Sequence, residues 1–248
     1  MQLITTGEGA VMASIINPLQ VSRFLRRYDD AAAQKGIKIS MGFNFHEYLS
    51  ITRATPTKGP TFPNFRPDCS PIESGEGYWI LGVDKNNDVA LVEAARLYDL
   101  SHSNFAEHLE SLKAFYADPT AHPQNVCLCT APSAKKITGK VAYRGDFWVR
   151  KDFRGRQGIA NIIGGIGRAL SFALWAPDFL CSLVEGWTLD KGVYEVTHHE
   201  PGGAIIRLEE EDIMEDNWLV WVTGDELRRE IELHDRSELA PPSCFSPA

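Results

Sequence analysis

One segment of this 248-residue chain restricts its fold more than any other. Residues 140–149 form a strand candidate, and after a glycine-containing turn an apolar run predicts a helix over 158–175. Pro177 ends that helix, and the run 179–185 then predicts a buried strand. Because two strands joined by a crossover helix run parallel in one sheet, this unit predicts an α/β fold that contains a parallel pair.

The rest of the chain supplies further elements on both sides of this unit. Asn17 before Pro18, apolar residues at helical spacing and then Gly36 predict a helix with an N-cap and a glycine stop. Two strand-like runs over 77–83 and 89–98 flank a polar link and predict a hairpin. The remaining predictions are strands at 37–41, 204–208 and 218–222 and helices at 45–51, 105–115, 188–196 and 225–233.

Length and composition favour one elaborated domain. The chain is 44% hydrophobic and 23% charged, which is close to average globular usage. We predict a single domain over residues 1–238, with an N-terminal helical elaboration and an inserted loop and helix at 99–135. Residues 239–248 are rich in proline and serine and are expected to form a disordered tail.

Composition also disfavours several classes of protein. A net charge of -8 and a pI near 5.4 oppose a nucleic-acid partner, which needs a basic face. The apolar stretch 159–175 is broken by glycines and by Arg168, so no membrane-spanning helix is expected. Those glycines instead predict close packing of the helix on the sheet. No basic residue precedes Arg23, so no secretory signal is expected, and the cytoplasm is the predicted location.

The five cysteines are scattered along the chain, which is unlike a disulfide framework. Cys127 and Cys129 are separated by one residue, and no second pair of Cys or His follows at the spacing of a zinc finger. We therefore expect reduced thiols, two of them on one face of a strand, and no metal site.

A basic turn with glycines connects the predicted strand at 140–149 to the predicted helix at 158–175. Its sequence is Val149-Arg-Lys-Asp-Phe-Arg154-Gly-Arg-Gln-Gly158-Ile-Ala160. The first turn of a helix leaves backbone N–H groups without partners and carries the positive end of the helix dipole. The small residues would let an anion approach the backbone, and the arginines supply positive charge. The turn therefore predicts a phosphate-binding site.

This turn resembles the signature of the GCN5-related N-acetyltransferase superfamily. That signature is Gln or Arg, two residues, Gly, one residue and then Gly or Ala, after a strand that ends in Val. The turn here is one residue longer, and Gly158 with Ala160 is the preferred small pair. The resemblance covers about residues 77–208, and it implies the acyl-CoA N-acyltransferase fold: a mixed, mostly antiparallel central sheet flanked by helices.

The resemblance also implies a function, that of an acyl-CoA-dependent N-acyltransferase. Acetyl-CoA is the expected donor, a small-molecule or peptide amine is the expected acceptor, and the acyl group passes by direct attack within a ternary complex. Members of the family bind the pyrophosphate of acetyl-CoA with backbone amides of this turn. The donor-site residues implied here are Val149, Arg154, Arg156, Gln157, Gly158, Ile159 and Ala160.

Acyl transfer to an amine needs a proton acceptor for the ammonium and a proton donor for the departing thiolate. By resemblance, Tyr194 stands where the family has its tyrosine acid, seven residues beyond Trp187, which takes the place of the usual Asn. Asp146 and Glu93 are the candidate bases, and Glu185 is a third carboxylate. Each carboxylate could instead be ion-paired, Tyr194 could be an ordinary half-buried tyrosine, and a water chain could replace the base.

Two other functions stay open at this point. A domain of the same fold could bind CoA weakly or not at all and serve as a regulatory module, which the longer turn favours. An N-acyl amino acid or acyl-lactone synthase would take its acyl group from a carrier protein, with Arg150, Lys151, Arg154 and Arg156 as a basic docking patch. The sequence does not identify the acceptor, and a homodimer is a further option for the assembly.

Overall fold

The computed structural model describes residues 17–155, 158–194 and 197–239, with side chains described as far as Leu233. The predicted tail at 239–248 lies outside these ranges apart from Leu239, which is the last residue of α6. Arg156 and Gln157 also lie outside them. The helices and strands are α1 Pro18–Gln34, β1 Lys38–Gly42, α2 Phe45–Arg53, β2 Gly77–Val83, β3 Val89–Leu100, α3 Phe105–Glu110, β4 Val126–Leu128, β5 Gly139–Val149, α4 Ile159–Trp175, β6 Phe179–Glu185, α5 Gly186–Asp190, β7 His198–Leu208, β8 Ile213–Thr223 and α6 Gly224–Leu239.

The strands of the described chain form one eight-stranded sheet in the order β1-β2-β3-β5-β6-β8-β7-β4. Within it, β5 and β6 are parallel, and the other described pairs are antiparallel. The crossover through α4 therefore produces the parallel pair that the sequence predicts. The predicted fold class, a mixed and mostly antiparallel sheet flanked by helices, is confirmed, and so is the hairpin of β2 and β3.

Three helices, α1, α4 and α6, cover one face of the sheet and pack against one another. α1 begins and ends as predicted, because the Asn17 side chain accepts a hydrogen bond from the Leu19 N–H at 3.1 Å and Pro18 is its first residue. Gly36 follows α1 with φ at 77°, a left-handed conformation that glycine adopts at little cost. This layer, called the helical face below, holds α4 over β5 and β6.

Glycines let α4 approach its neighbours closely. A Cβ on Gly165 would overlap the Tyr28 ring of α1, and a Cβ on Gly167 would overlap the Arg144 guanidinium on β5. Only glycine fits at these two positions without displacing its neighbours. The close packing predicted for the glycines of this helix is confirmed.

The other face of the sheet is covered by the segment between β3 and β5 and by α2 with the loop that follows it. Phe105 and Leu109 of α3 are buried there, and β4 leaves this segment to pair with β7 at the far edge of the sheet. Cys127 of β4 and Cys129, one residue beyond its end, are both buried in the same core cluster, so the two thiols share one side although only Cys127 lies on the strand. α3 is shorter than the predicted helix, because Leu112 adopts a left-handed φ of 61°.

Other elements have bounds that differ from the predicted ones. The helix predicted over 188–196 is the short α5, and Gly192 follows it with φ at 60°. β7 begins at His198, earlier than the strand predicted at 204–208. The residues between Glu200 and Ala204 do not end the strand but form an irregularity within it, where the register to β8 shifts. No helix in the described ranges combines the length and the apolar character that crossing a bilayer requires.

Candidate functional site

The parallel pair splits along its length and opens a cleft in the middle of the sheet. β5 and β6 pair only where Val141–Tyr143 meets Phe179–Cys181. Beyond that point β5 stays paired with β3 as far as Val149, and β6 stays paired with β8 as far as Glu185. The space between the strands holds a cavity of about 820 Å³ that reaches both faces of the sheet.

A bulge in β5 lies beside this cleft. Ala94 of β3 pairs with Gly145, but Val92 pairs with Trp148, so β5 has one more residue than β3 across this step. Asp146 takes up the extra length with a left-handed φ of 51°. A bulge bends its strand and increases the local twist, which moves β5 away from β6.

The N-terminus of α4 faces the cleft. Gly158 is its N-cap, with φ at 90°, and no side chain among the described residues caps this end. Ala160 and Gly164 of α4 line the cavity. The leading N–H groups of a helix lack intrahelical partners, so this end can hold an anion.

The remaining residues predicted for the donor site take different positions. Val149 is the last residue of β5, and its carbonyl accepts a hydrogen bond from Arg154 Nε at 2.7 Å. Ile159 is buried in the core, so only its backbone can face a ligand. Gly155 has φ at 68°, and a Cβ there would meet no atom of the described chain within 4 Å, so the requirement for glycine is conformational. Arg156 and Gln157 stay predictions, since both lie outside the described residues.

The predicted basic patch is partly neutralised. Arg150 donates to Asp84 at 2.6 Å and to Asp152 at 2.7 Å, and these carboxylates raise the pKa of Arg150. An arginine held by two acidic side chains offers little charge to an acidic carrier protein. The patch proposed for carrier docking therefore depends on fewer charges than the sequence suggests.

A buried ion pair of Glu93 and Arg144 lies on the helical face of the cleft. Oε1 of Glu93 is 2.5 Å from an Arg144 Nη, and the same guanidinium donates to the carbonyls of Ile163 and Gly164 on α4. The other oxygen, Oε2, is buried without a hydrogen-bond partner among the described residues, and Glu93 lines the cavity. Burial raises the pKa of Glu93 above its ordinary value, although Arg144 opposes the shift.

A second buried ion pair lies on the opposite face of the cleft. Asp146 accepts from Lys58 Nζ at 2.8 Å and from the Tyr48 hydroxyl at 2.5 Å. The Lys58 and Asp146 side chains are 3% and 4% exposed. Burial raises the pKa of Asp146, and Lys58 opposes the shift. Both oxygens of this predicted base are thus occupied by the protein's own donors.

Tyr194 lies in the loop after α5 and not on a helix, which corrects the position expected from the sequence. Its side chain still lines the cavity, edge-on to the Phe147 ring with centroids 6.2 Å apart. Burial, with a smaller effect of Glu93, raises the pKa of Tyr194 to about 12. The hydroxyl therefore keeps its proton at neutral pH and can donate it.

Three polar side chains on β6 and β8 lie together in the cleft. Glu185 was a candidate from the sequence, whereas Asn217 and Glu215 were not predicted. Asn217, which is 3% exposed, pairs in register with Glu185 and donates to Glu215 at 2.7 Å. Glu185 accepts from Trp187 Nε1 at 2.7 Å, and burial followed by Glu185 raises the pKa of Glu215. All three line the cavity. The described residues hold no cluster of three or more His, Cys, Asp or Glu side chains that would suit a metal.

Arg144, Lys58, Asn217 and Glu215 were not predicted as site residues. Arg144 could have been found from the sequence, because it is a charged residue within a predicted strand. Such a residue is seldom buried unless it is paired, so it indicates an ion pair. The position of Lys58 had no such signal, because it depends on the path of an irregular loop across the sheet.

Comparisons with known proteins give weak similarities only. No protein-family model matches the chain, and no curated protein matches it. Similar solved structures include Arabidopsis thaliana NAA60 in complex with acetyl-CoA, which is 13% identical over 75% of this chain and 98% of that one, with a TM-score of 0.42.

Two further solved structures lie in the same range. The spermidine/spermine N-acetyltransferase SpeG from Vibrio cholerae is 6% identical over 79% of this chain and 98% of its own, with a TM-score of 0.42. The N-acyl amino acid synthase FeeM, from uncultured soil microbes, is 10% identical over 90% and 94%, with a TM-score of 0.38. Similarities of this size carry no conclusion about activity.

Proposed function

We propose that this chain is an acyl-CoA-dependent N-acyltransferase, with acetyl-CoA as the first donor to test and a small-molecule or peptide amine as the acceptor. One observation carries the proposal: a cleft between β5 and β6 joins the N-terminus of α4 to a buried carboxylate, and among the described residues neither the helix end has a side-chain cap nor the second carboxylate oxygen a partner. The resemblance of the turn 149–160 to the acetyltransferase signature supports the same reading.

The donor's pyrophosphate is assigned to the first turn of α4. Backbone N–H groups of Gly158, Ile159 and Ala160 would face it, and the helix dipole adds favourable charge. Arg154, Arg156 and Gln157 are further proposed contacts from the turn. The cavity that Ala160 lines continues between the split strands, which gives the thioester arm a path toward Glu93.

Glu93 is the proposed proton acceptor. Its Oε1 is fixed by Arg144, and its Oε2 lacks a partner among the described residues, so this oxygen can take a proton from the acceptor's ammonium. A raised pKa moves a carboxylate toward the working pH, where general bases are most effective. Asp146 is the weaker candidate, because Lys58 and Tyr48 already occupy its oxygens.

Tyr194 is the proposed proton donor for the leaving group. After Glu93 deprotonates the ammonium, the amine nitrogen attacks the thioester carbonyl carbon. The nitrogen then loses its second proton to solvent, the carbon–sulfur bond breaks, and the Tyr194 hydroxyl gives its proton to the thiolate. The proton held by Glu93 returns to Tyr194 through solvent. With a pKa of about 12, Tyr194 is protonated at neutral pH and is ready for this step.

Two measurements test the proposal. Thermal melting with CoA at a hundredfold its dissociation constant should add about 2.7 kcal/mol of stability. A screen of amines, followed by release of free CoA from acetyl-CoA, would then identify an acceptor. Absence of any stabilisation by CoA or acetyl-CoA would refute the donor site, and stabilisation without turnover for any amine would favour a regulatory module.

A further inference from the structure

Lys58 places a primary amine inside the cleft. Its side chain is 3% exposed, it lines the same cavity as Ala160 and Tyr194, and its Nζ lies 2.8 Å from Asp146 Oδ1 at the β5 bulge. No other lysine of the described chain lines this cavity. The chain thus carries a candidate acyl acceptor of its own.

Neighbouring contacts hold this amine in place. The Trp148 indole donates to the Thr57 carbonyl at 3.1 Å, which fixes the loop one residue before Lys58. Nζ also donates to the Gly59 carbonyl at 3.3 Å, and Tyr48 holds the other oxygen of Asp146. An amine buried in the cleft beside a carboxylate has a proton acceptor next to it, and a thioester bound in the same cavity would be close enough for intramolecular attack.

We propose that Lys58 is a self-acylation site, modified by the acyl-CoA that the cleft binds; this inference rests on the proposed function. Asp146 Oδ1 accepts a proton from Nζ, and the neutral nitrogen attacks the thioester carbonyl carbon. The carbon–sulfur bond breaks, and the thiolate takes the Tyr194 proton and leaves as CoA. The attacking nitrogen releases its second proton to solvent as the amide forms. The products are an amide on Nζ and free CoA, and the Asp146 proton returns to Tyr194 through solvent.

Acylation of Lys58 would change the cleft. It removes the positive charge of Nζ, so Asp146 keeps Tyr48 but loses its ion pair. The loop that carries Lys58, Gly59 and Pro60 along one wall of the cavity would lose its ion pair with Asp146 of β5 and keep the bond from Trp148 to Thr57. Self-acylation would therefore free the Asp146 carboxylate and loosen this wall.

Intact-mass spectrometry and peptide mapping test the inference directly. The full chain is incubated separately with acetyl-CoA, butyryl-CoA and octanoyl-CoA, and acylation is quantified at Lys58 and at the exposed Lys38 and Lys85. We expect one acyl group per chain at Lys58, more than tenfold faster than at the exposed lysines. Excess CoA should suppress labelling at Lys58 alone, since only that reaction needs the donor site.

Variants separate this inference from the proposed function. Lys58→Arg keeps a cation beside Asp146 and should remove the fast label, and Asp146→Asn should slow it at least tenfold. Labelling of Lys58 at the rate of Lys38 and Lys85, in protein that binds CoA and acylates an amine, would overturn the inference and leave the function intact. Failure to bind CoA in the melting experiment would remove both.

Discussion

The two buried ion pairs of β5 differ in the way that matters for chemistry. Arg144 and Asp146 are two residues apart, and in a regular strand they would share a face. The bulge at Asp146 places them on opposite faces, so Arg144 reaches α4 and Asp146 reaches α2 and the loop of Lys58. A single extra residue thus gives each side of the cleft its own buried carboxylate.

The two carboxylates are not equally available. Asp146 has a donor on each oxygen, whereas Glu93 has one oxygen held by Arg144 and one without a partner in the described chain. A saturated carboxylate fixes its surroundings, and an open one can accept a proton from a ligand. The difference supports the proposal that Glu93, on the helical face, takes the proton of an external amine. Asp146, on the opposite face, holds Lys58 in place and serves as proton acceptor only in the proposed self-acylation.

The largest expected effect is on Glu93. Glu93→Gln should lower kcat/KM by about 10²–10⁴-fold, the range for loss of a general base. The rate of the native protein should rise with pH through the raised pKa of Glu93, because only the ionised form accepts a proton. This acidic limb should vanish in the variant.

Two control variants test whether the proton acceptor is Glu93 and not another carboxylate of the cleft. Glu185→Gln changes another carboxylate of the cavity and should alter the rate only slightly. Asp146→Asn, assayed at a temperature where it stays folded, should retain the acidic limb. A greater rate loss in Asp146→Asn than in Glu93→Gln would reverse the assignment of the two faces.

The next effect concerns stability on the opposite face. Lys58→Met leaves the Asp146 charge buried without its cation, and breaking a buried pair costs about 3–5 kcal/mol. Urea unfolding measures this loss. The double variant with Asp146→Asn should be less destabilised than the sum of the single variants, and strict additivity would show that the pair is not coupled.

A smaller effect on rate is expected at Tyr194. Tyr194→Phe removes the proton donor but keeps the ring against Phe147, so kcat should fall about 10²-fold with little change in unfolding. Because the pKa of Tyr194 is about 12, the native rate should show no alkaline loss from this group near neutral pH. An unchanged kcat for an identified substrate would remove Tyr194 from the reaction.

The smallest effect is expected at the end of α4. Gly158→Ala places a Cβ in a left-handed conformation, which costs about 1–2 kcal/mol. The added methyl group meets no atom of the described residues within 4 Å, so any loss of CoA affinity beyond that of Gly155→Ala would come from contact with the ligand. Equal CoA affinities in the two variants would argue against a pyrophosphate at Gly158.

Much of the architecture followed from local patterns in the sequence. The crossover unit 140–185, the hairpin of β2 and β3 and the capped α1 depend on periodicity and on residues such as Asn17 and Gly36, which act within a few positions of themselves. These elements are present in the structure. Glu93 and Tyr194 were selected as candidates, and both line the cavity.

The sequence could not predict that the carboxylates of Asp146 and Glu93 differ in availability. Asp146 and Glu93 looked equivalent there, and the difference depends on a bulge set by the pairing of β5 with β3. Lys58 arrives from a loop whose route is fixed by tertiary contacts such as the bond from Trp148. Local propensity contains no information about either feature, because both arise from residues distant in the chain.

Where β5 and β6 separate, each strand leaves one backbone edge facing the cleft. Past Tyr143 and Cys181, β5 and β6 no longer pair with each other, so each directs the N–H and C=O groups of every second residue toward the cleft, along a strand that rises about 3.3 Å per residue. A ligand that fills the space between these two strand edges must be narrow and extended. It must also carry amide groups, so that it can hydrogen-bond to the edges as an added strand would. Binding of such a ligand would connect β5 and β6 across the cleft and should slow amide hydrogen exchange along both strand edges.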